Sequence, residues 1–321
     1  LNQFFYGWRM IHLRFISEGS RLMTSAILHE LGGVKEVAPP TWYIQRVKTK
    51  LATGEYQIES VSCFCGSKDS TPITNKDRYG FDHHMVLCKS CGLIYAIPRM
   101  TEDSYRRFYE NEYRQIYDWG CLDKEQDFKV GISGATTVKD FLSDLEIYPK
   151  VIFDIGCNSG AWLKPFADAG CEVMGVDYGY ERIQYGKSLG LNISQGSIEM
   201  LEETGKKADL IILNHFIEHS LNLYETLSRI RNLLSDSGVL FVSTPSIYTS
   251  NINTLFQNAH PYQFTSRTLS YVMQCSGFEE LYLDERINSL WTKNNSFRSV
   301  NNRPHDEAKH IMNFLYGGKK L

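Results

Sequence analysis

The sequence lacks an apolar run long enough to cross a membrane, and no signal peptide is visible. Positive charge is not in excess, because 34 Lys and Arg residues face 37 Asp and Glu residues and the net charge is −3. This balance argues against broad, sequence-independent binding of nucleic acids, which depends on basic surface. Internal repeats and low-complexity tracts are also missing, which excludes repeat architectures.

The eight cysteines provide the first positive indication. Without a secretory leader, cysteines indicate a reducing compartment, where closely spaced pairs bind metal more often than they form disulfides. We therefore expect a cytoplasmic protein. A chain of 321 residues is long enough for two domains.

Residues 151–160 form the most informative segment. The apolar run Val-Ile-Phe ends in Asp154, and a loop bracketed by Gly156 and Gly160 is predicted to open a helix at Ala161. Glycines let such a loop approach a ligand closely, and helix N–H groups then face that ligand. The dinucleotide pattern G-x-G-x-x-G is not met, because Asn158 and Ala161 stand where glycines are required.

Further segments continue the pattern in a fixed order. A second buried strand ends at Asp177, 23 residues after Asp154, where Rossmann-like folds place an acid that binds ribose hydroxyls. The segments that follow it are 191–194, 196–201, 209–219, 238–245 and 260–265. Together, D-x-G-x-x-x-G and these segments resemble class I S-adenosylmethionine-dependent methyltransferases over roughly residues 150–285.

The resemblance implies an α/β fold with a Rossmann-like, seven-stranded, mostly parallel sheet. It also implies that the cofactor is S-adenosylmethionine and that its site is formed at the ends of successive strands. The expected cofactor-binding residues are Asp154, Gly156, Asn158, Gly160, Asp177, Tyr178, Ser197, Ile198 and Asn214.

Three histidines are candidates for the base that removes a proton from the methyl acceptor. His215 and His219 follow the fourth strand, and His260 follows the fifth. Ligands of open α/β sheets bind beyond the carboxyl ends of the strands, and neutral imidazole is a suitable base near pH 7. We rank His219 first, His260 second and His215 third, with Tyr109, Tyr113 and Glu218 as reserves.

The cysteines at 63, 65, 88 and 91 form two pairs, each followed by glycine. This arrangement predicts a zinc ribbon in which Cys63, Cys65, Cys88 and Cys91 bind one structural zinc ion. The first pair is C-x-C rather than C-x-x-C, so its geometry is tighter. His83 or His84 is an alternative ligand, and four free cysteines are the alternative to a metal site.

The segments Cys-x-x-Cys-Gly-Leu-Ile-Tyr, Pro-Arg-Met-Thr and Phe-Tyr-Glu-Asn-Glu-Tyr-Arg, within residues 88–114, resemble methyltransferases linked to deoxysugar and surface-polysaccharide synthesis. The resemblance implies methylation of a sugar or glycan. Related sugar C-methyltransferases carry a further C-terminal domain, whereas here about 35 residues follow Glu285, which favours O-methylation.

The predicted organisation has five segments. They are an N-terminal helical segment (1–60), a zinc ribbon (61–100), a helical connector that contributes to the cleft (101–150), the methyltransferase domain (151–285) and a C-terminal extension (286–321). Arginines intermix with aromatic residues within residues 1–33. We expect an amphipathic helix that packs on its own domain, and peripheral membrane or partner contact is the alternative.

Three other functions stay open beside sugar O-methylation. They are sugar C-methylation, methylation of RNA gripped by the zinc ribbon, and a non-catalytic interaction protein that keeps the fold. The mild net negative charge disfavours RNA, and the intact Asp154, Gly156, Gly160 and Asp177 disfavour a non-catalytic role.

Overall fold

The first part of the described chain combines helices with short strands. The computed structural model describes residues 39–117, 123–250, 255–294 and 303–316. The first helices are α1 (Thr41–Ala52), α2 (Glu102–Asn111) and α3 (Tyr113–Tyr117). The strands among them are β1 (Ile58–Glu59), β2 (Ser70–Lys76), β3 (Asp82–Cys88), β4 (Ile94–Ala96) and β5 (Arg99–Met100). The helix predicted for residues 1–33, with its proposed membrane or partner contact, lies outside the described residues.

The second part alternates helices and strands. Its helices are α4 (Lys124–Asp144), α5 (Lys164–Asp168), α6 (Tyr180–Ser188), α7 (Glu199–Glu202) and α8 (Leu223–Leu233). Its strands are β6 (Val151–Ile155), β7 (Glu172–Asp177), β8 (Ile193–Gln195), β9 (Ala208–Asn214) and β10 (Leu234–Ser243). The last elements are β11 (Tyr262–Gln263), α9 (Ser266–Cys275), β12 (Phe278–Leu283), β13 (Asn288–Lys293) and α10 (Glu307–Tyr316).

Seven strands form the central sheet in the order β12-β13-β10-β9-β6-β7-β8. Strands β10, β9, β6, β7 and β8 pair in parallel, and β13 runs antiparallel to both of its neighbours. The order reverses direction between β6 and β9, which is the switch point where open α/β sheets bind ligands. The predicted seven-stranded, mostly parallel sheet is confirmed.

Apolar side chains on both faces of the sheet hold it between two layers. In β9, Ile211 and Leu213 join one buried cluster, whereas Leu210 and Ile212 join another on the opposite face. A strand buried on both faces reads as a continuous apolar run, which explains the composition of residues 210–213. No helix within the described ranges is long and apolar enough to cross a membrane.

A second sheet joins the cysteine-rich segment to the second half of the chain. Its order is β11-β4-β3-β2, and Tyr262 of β11 pairs with Tyr95 of β4. Cys63, Cys88 and Cys91 also belong to the same buried cluster as Phe153 and Ile211. The segment predicted as a separate zinc ribbon therefore shares both a sheet and a core with the central domain.

Two predicted boundaries are displaced in the structure. The C-terminal extension was expected from residue 286, but β13 lies inside the central sheet, where it pairs with β10 and β12. The helix expected at Ala161 begins instead at Lys164, after a turn in which the Leu163 N–H donates to Gly160. Pro165 lies in the first turn of this helix, where its missing N–H costs nothing.

Helix α10 packs on the second sheet close to a cysteine turn. The buried Glu307 accepts hydrogen bonds from Tyr248 (2.9 Å) and Arg267 (2.8 Å). Gly92 lies directly beneath it with φ +74°, and a Cβ atom at this position would lie 2.8 Å from the Cβ of Glu307. Gly66, in the other cysteine turn, also has a positive φ (+80°) but has no neighbour within 4 Å of such an atom.

We predict that Gly92→Ala destabilises the protein more than Gly66→Ala does. Both changes impose the same left-handed strain, but only Gly92→Ala forces α10 away, at an additional cost of about 1–3 kcal/mol. Equilibrium unfolding of the two variants measures the difference in their free energies of unfolding. Equal values would contradict the close packing of α10 on this turn.

Candidate functional site

The ends of the parallel strands bring the predicted residues together at one edge of the central sheet. Asp154 lies in β6, Asp177 ends β7 and Asn214 ends β9. Since β7 and β9 both pair in parallel with β6, the loops that follow the three strands are neighbours. The structure thus places the predicted cofactor side and the predicted acceptor side next to each other.

The glycine loop after β6 is attached to the end of β7. The N–H groups of Gly156 and Cys157 donate to the carbonyl of Val176 (2.9 and 3.0 Å). Gly156, Asn158 and Gly160 all have positive φ angles of +78°, +53° and +76°. This left-handed backbone favours glycine and tolerates asparagine.

Packing supplies a second reason for the two glycines. A Cβ at Gly156 would lie 3.0 Å from the ring of Phe216, and one at Gly160 would lie 2.9 Å from Leu191. Gly160 therefore faces packed side chains beside β8. Its spacing in the sequence did not distinguish this packing role from contact with a ligand.

Asp154 is a buried carboxyl group with an unused oxygen. It is 2% exposed, and its Oδ2 has no hydrogen-bond partner in the structure. Burial, followed by the nearby charge of Asp177, raises the pKa of Asp154 well above its usual value. Such a group is ready to bind a hydrogen-bond donor, because an unsatisfied buried polar atom costs free energy.

The carboxylate of Asp177 joins the loops that follow β6 and β7. Its Oδ2 accepts from the N–H of Asn158 (3.1 Å), and its Oδ1 accepts from the N–H of Gly179 (2.6 Å). Arg114 of α3 approaches the same Oδ1 at 3.4 Å. The side chain of Asn158 is held in turn by Asp127 of α4 (3.2 Å).

The residues expected around an adenine lie beyond β7 and β8. Tyr178 is 39% exposed, whereas Ile198 is buried. The hydroxyl of Ser197 donates to the carboxylate of Glu199. Ser197 therefore has a partner within the chain, and its contact with the cofactor stays a prediction.

His219 lies in a 3-10 turn (Ile217–His219) with its ring orientation set by two neighbours. Its Nδ1 is 2.9 Å from the carbonyl of Ala259 and also contacts the hydroxyl of Tyr109. A carbonyl only accepts hydrogen bonds, so the neutral ring carries its proton on Nδ1 and a lone pair on Nε2. Burial lowers the pKa of His219, and the neutral ring is therefore the form present at pH 7.

His260 lies next to His219, with ring centroids 4.6 Å apart. Its Nε2 contacts the side-chain amide of Gln257, and its Nδ1 is 3.4 Å from the amide nitrogen of Gln263. Burial lowers the pKa of His260 well below its usual value, and repulsion from the His219 ring in its protonated form adds to this effect. This ring is engaged by amides at both nitrogens.

His215 and Glu218 form an ion pair with a separation of 3.2 Å. Desolvation opposes the charging of the His215 ring, but the carboxylate outweighs it and raises the pKa of His215. Burial alone would raise the pKa of Glu218, yet His215 lowers it to about 2. His215 therefore tends towards the protonated form and Glu218 is a weak base, which leaves His219 as the candidate with a free lone pair.

Tyr109, which the sequence offered as a reserve base, contacts the leading candidate base itself. Its hydroxyl contacts His219 and lies 3.2 Å from the carbonyl of Ala259. Burial raises the pKa of Tyr109 well above its usual value, so the hydroxyl stays protonated. It belongs to a ladder of rings from α2 and α3, with centroids separated by 6.0, 4.6 and 5.4 Å, made by Tyr105, Tyr109, Tyr113 and Tyr117.

The spacing of four residues between these tyrosines was visible in the sequence, but their partners were not. Arg114 ends the segment Phe-Tyr-Glu-Asn-Glu-Tyr-Arg but was given no role there, and Asp127 lies in no motif. Each acquires its contact with the glycine loop or with Asp177 only through the tertiary structure.

The four cysteines predicted to bind zinc meet in one cluster. Their sulfur atoms all lie within 4.8 Å of one another, and the Cys63–Cys91 and Cys65–Cys88 pairs are both separated by 3.6 Å. Thiolates arranged tetrahedrally around zinc at about 2.3 Å are about 3.8 Å apart, whereas a disulfide requires about 2.05 Å. The donor set therefore fits a tetrahedral ion, and within the described residues this cluster includes neither His83 nor His84.

Comparison with known proteins agrees with this geometry. Residues 134–283 match the family model described as a methyltransferase domain. Residues 134–283 are therefore similar to a methyltransferase domain, and this matched segment includes the glycine loop, Asp177 and the three candidate histidines.

The curated relatives share only part of their length with this chain. The ubiquinone biosynthesis O-methyltransferase of Bartonella quintana is 31% identical over 99 residues, which cover 29% of this chain and 40% of that protein. The protein of the same name from Glaesserella parasuis is 29% identical over 110 residues, covering 30% of this chain and 46% of that protein. The chain thus spans less than half the length of these relatives.

Two solved structures illustrate the wider similarity. A SAM-dependent methyltransferase from Archaeoglobus fulgidus is 25% identical, with a TM-score of 0.39, and covers 47% of this chain and 73% of that chain. A magnesium protoporphyrin IX methyltransferase from Synechocystis, with bound SAH, is 18% identical, with a TM-score of 0.42, and covers 60% and 97%.

Proposed function

We propose that this protein is an S-adenosylmethionine-dependent methyltransferase that methylates a hydroxyl group of a small acceptor, with a sugar as the expected acceptor class. The observation that carries the proposal is the pair of carboxyl groups at the ends of β6 and β7. Asp154 has a buried, unpartnered oxygen, and Asp177 lies beside it under the glycine loop, within the matched methyltransferase domain.

The residues at this edge fit the proposed cofactor. Asp154 would bind the ammonium end of its methionine part, because its Oδ2 lacks a donor. Asp177 would accept from the ribose hydroxyls, while Tyr178 and Ile198 would border the adenine. When bound, the cofactor supplies an electrophilic methyl group on a sulfonium centre.

The protein's own task on the acceptor side is to orient the hydroxyl group and remove its proton. Nε2 of His219 carries the lone pair, since Nδ1 is engaged by Ala259. Tyr109 helps to hold the ring in this orientation. A hydroxyl is a weak nucleophile until it begins to lose its proton, so a base at this position accelerates transfer by about 10²–10⁴-fold.

The tyrosine ladder beside His219 supports an acceptor with a flat or ring-shaped apolar face. A sugar ring meets this description. It stays the first candidate because segments within residues 88–114 resemble methyltransferases linked to sugar and polysaccharide synthesis. A phenolic ring is the second candidate, because tyrosines stack well on aromatic rings and the curated relatives are named ubiquinone biosynthesis O-methyltransferases.

An assay with labelled methyl donor and a panel of nucleotide sugars, phenols and RNA separates these acceptors, and analysis of the product distinguishes O- from C-methylation.

We also propose that Cys63, Cys65, Cys88 and Cys91 hold a structural zinc ion. The sulfur separations support this assignment. Cysteine thiols stay reduced in the cytoplasm, so the proposal includes a cytoplasmic location.

We predict that Asp177→Asn weakens binding of S-adenosylhomocysteine by about 5- to 150-fold, because each lost hydrogen bond to a ribose hydroxyl costs about 1–3 kcal/mol. Calorimetric titration measures the affinity. Asp209→Asn is the matched control, since Asp209 also accepts from two backbone N–H groups (3.0 and 3.1 Å) but at the opposite edge of the sheet. Equal affinity in both variants would refute the cofactor assignment.

We predict one zinc ion per chain in natively purified protein, and its loss in Cys88→Ser. Removal of the ion by chelation should lower the melting temperature, because metal binding contributes directly to folding. Elemental analysis measures the content, and Cys171→Ser, outside the cluster, is the control that should keep its metal. Zinc well below one equivalent in the wild-type protein, or retained in Cys88→Ser, contradicts the prediction.

We predict that His219→Ala lowers kcat by about 10²–10⁴-fold while binding of S-adenosylhomocysteine is retained. In the wild-type protein, kcat should fall at low pH with an apparent pKa below the usual imidazole value of about 6.5, because burial favours the neutral ring. His260, Glu218, His215 and Asp177 are the charged or titratable neighbours that influence this value. The control is His310→Ala, on the exposed surface of α10, which should leave kcat unchanged. If kcat falls less than tenfold in both His219→Ala and His260→Ala, the base is another residue.

A further inference from the structure

Arg114 connects the first part of the chain to the predicted ribose acceptor. Its guanidinium approaches Oδ1 of Asp177 at 3.4 Å, and the two side chains are 30% and 17% exposed. The remaining contacts of this carboxylate are backbone N–H groups of Asn158 and Gly179. Arg114 is therefore the side chain that occupies the outward part of the Asp177 carboxylate.

Gly179 shows how closely Arg114 covers the end of β7. A Cβ atom at Gly179 would overlap the guanidinium, with Nε only 2.8 Å away. The φ of Gly179 is −75°, so the glycine is not required by the backbone conformation. Its missing side chain instead leaves room for Arg114, just beyond the carboxyl end of a parallel strand, where open sheets bind their ligands.

The short helix that carries Arg114 also contacts the acceptor side. Tyr113, the preceding residue, has its ring centroid 6.0 Å from that of His219 and 4.6 Å from that of Tyr109. Arg114 and Tyr113 are consecutive residues of the five-residue helix α3, so this helix borders both the carboxylate of Asp177 and the ring of His219.

We propose that Arg114 competes with the cofactor for Asp177: its guanidinium occupies the Oδ1 that the ribose hydroxyls need, and it must leave when the cofactor binds. This inference rests on the proposed function, because it assumes that Asp177 binds the cofactor.

The decisive experiment is calorimetric titration of Arg114→Gln with S-adenosylhomocysteine. A partly exposed ion pair that must break on binding weakens affinity only modestly, so the variant should bind about two- to fivefold more tightly than the wild-type protein. A residue with a purely structural role, or one that contacts the cofactor, would produce weaker binding when removed. Unchanged or weaker binding by a folded Arg114→Gln variant overturns the proposal.

Salt provides a second readout on the unaltered protein. Screening weakens the Arg114–Asp177 pair, so wild-type affinity should rise between low and high sodium chloride, whereas Arg114→Gln should show a smaller dependence. If the variant does not fold, a wild-type affinity that is flat or falling with salt overturns the proposal by itself.

Arg106→Gln is the matched control, because Arg106 lies on the neighbouring helix and pairs with Asp103 and Glu110 rather than with Asp177. The Arg106→Gln variant should bind S-adenosylhomocysteine with the affinity and salt dependence of the wild-type protein. If it binds as tightly as Arg114→Gln does, the effect does not come from the contact between Arg114 and Asp177. Failure of the wild-type protein to bind S-adenosylhomocysteine at all contradicts the proposed function instead, so the two failures are distinguishable.

Discussion

The carboxylate of Asp177 is the interaction on which the candidate cofactor site depends. It accepts backbone N–H groups from the loop after β6 and from the loop after β7, and so it holds the two loops together at one edge of the sheet. The left-handed backbone of Asn158 is stable in this position because Asp177 binds its N–H and Asp127 binds its side chain. A charged acceptor strengthens such hydrogen bonds beyond those between neutral groups.

The acceptor side depends on a different constraint, the joining of the cysteine-rich segment to the methyltransferase domain. Strand β11 completes the second sheet, and the loop before it carries Ala259 and His260. Tyr109 then reaches His219 and Ala259 from α2. The candidate acceptor side is thus composite, and a change in the cysteine cluster or in α10 is expected to reach it through the shared sheet and core.

Much of the central fold was predictable because its signals are local. The apolar runs that end in Asp154 and Asp177 define β6 and β7, and glycines in the loops mark where the backbone turns. The cysteine pairs likewise indicated their cluster, since two close pairs flanking a hairpin have few other arrangements. The C-terminal extension was predicted to begin at residue 286, before β13, because the sequence of β13 does not differ from that of a short peripheral segment. Only its pairing with β10 shows that β13 belongs to the central sheet.

The sequence by itself determined the class of sheet, the order of its strands' motifs and the identities of the candidate histidines and cysteines. Only the tertiary structure distinguished among the histidines, because their protonation depends on neighbours such as Ala259, Gln257 and Glu218. It also decided which distant residues meet at the candidate site: Tyr109 and His219 are 110 residues apart, and Arg114 and Asp177 are 63 apart. The physical reason is that periodicity and spacing encode the strands and turns, whereas contacts between distant side chains arise only when the packed core brings those elements together.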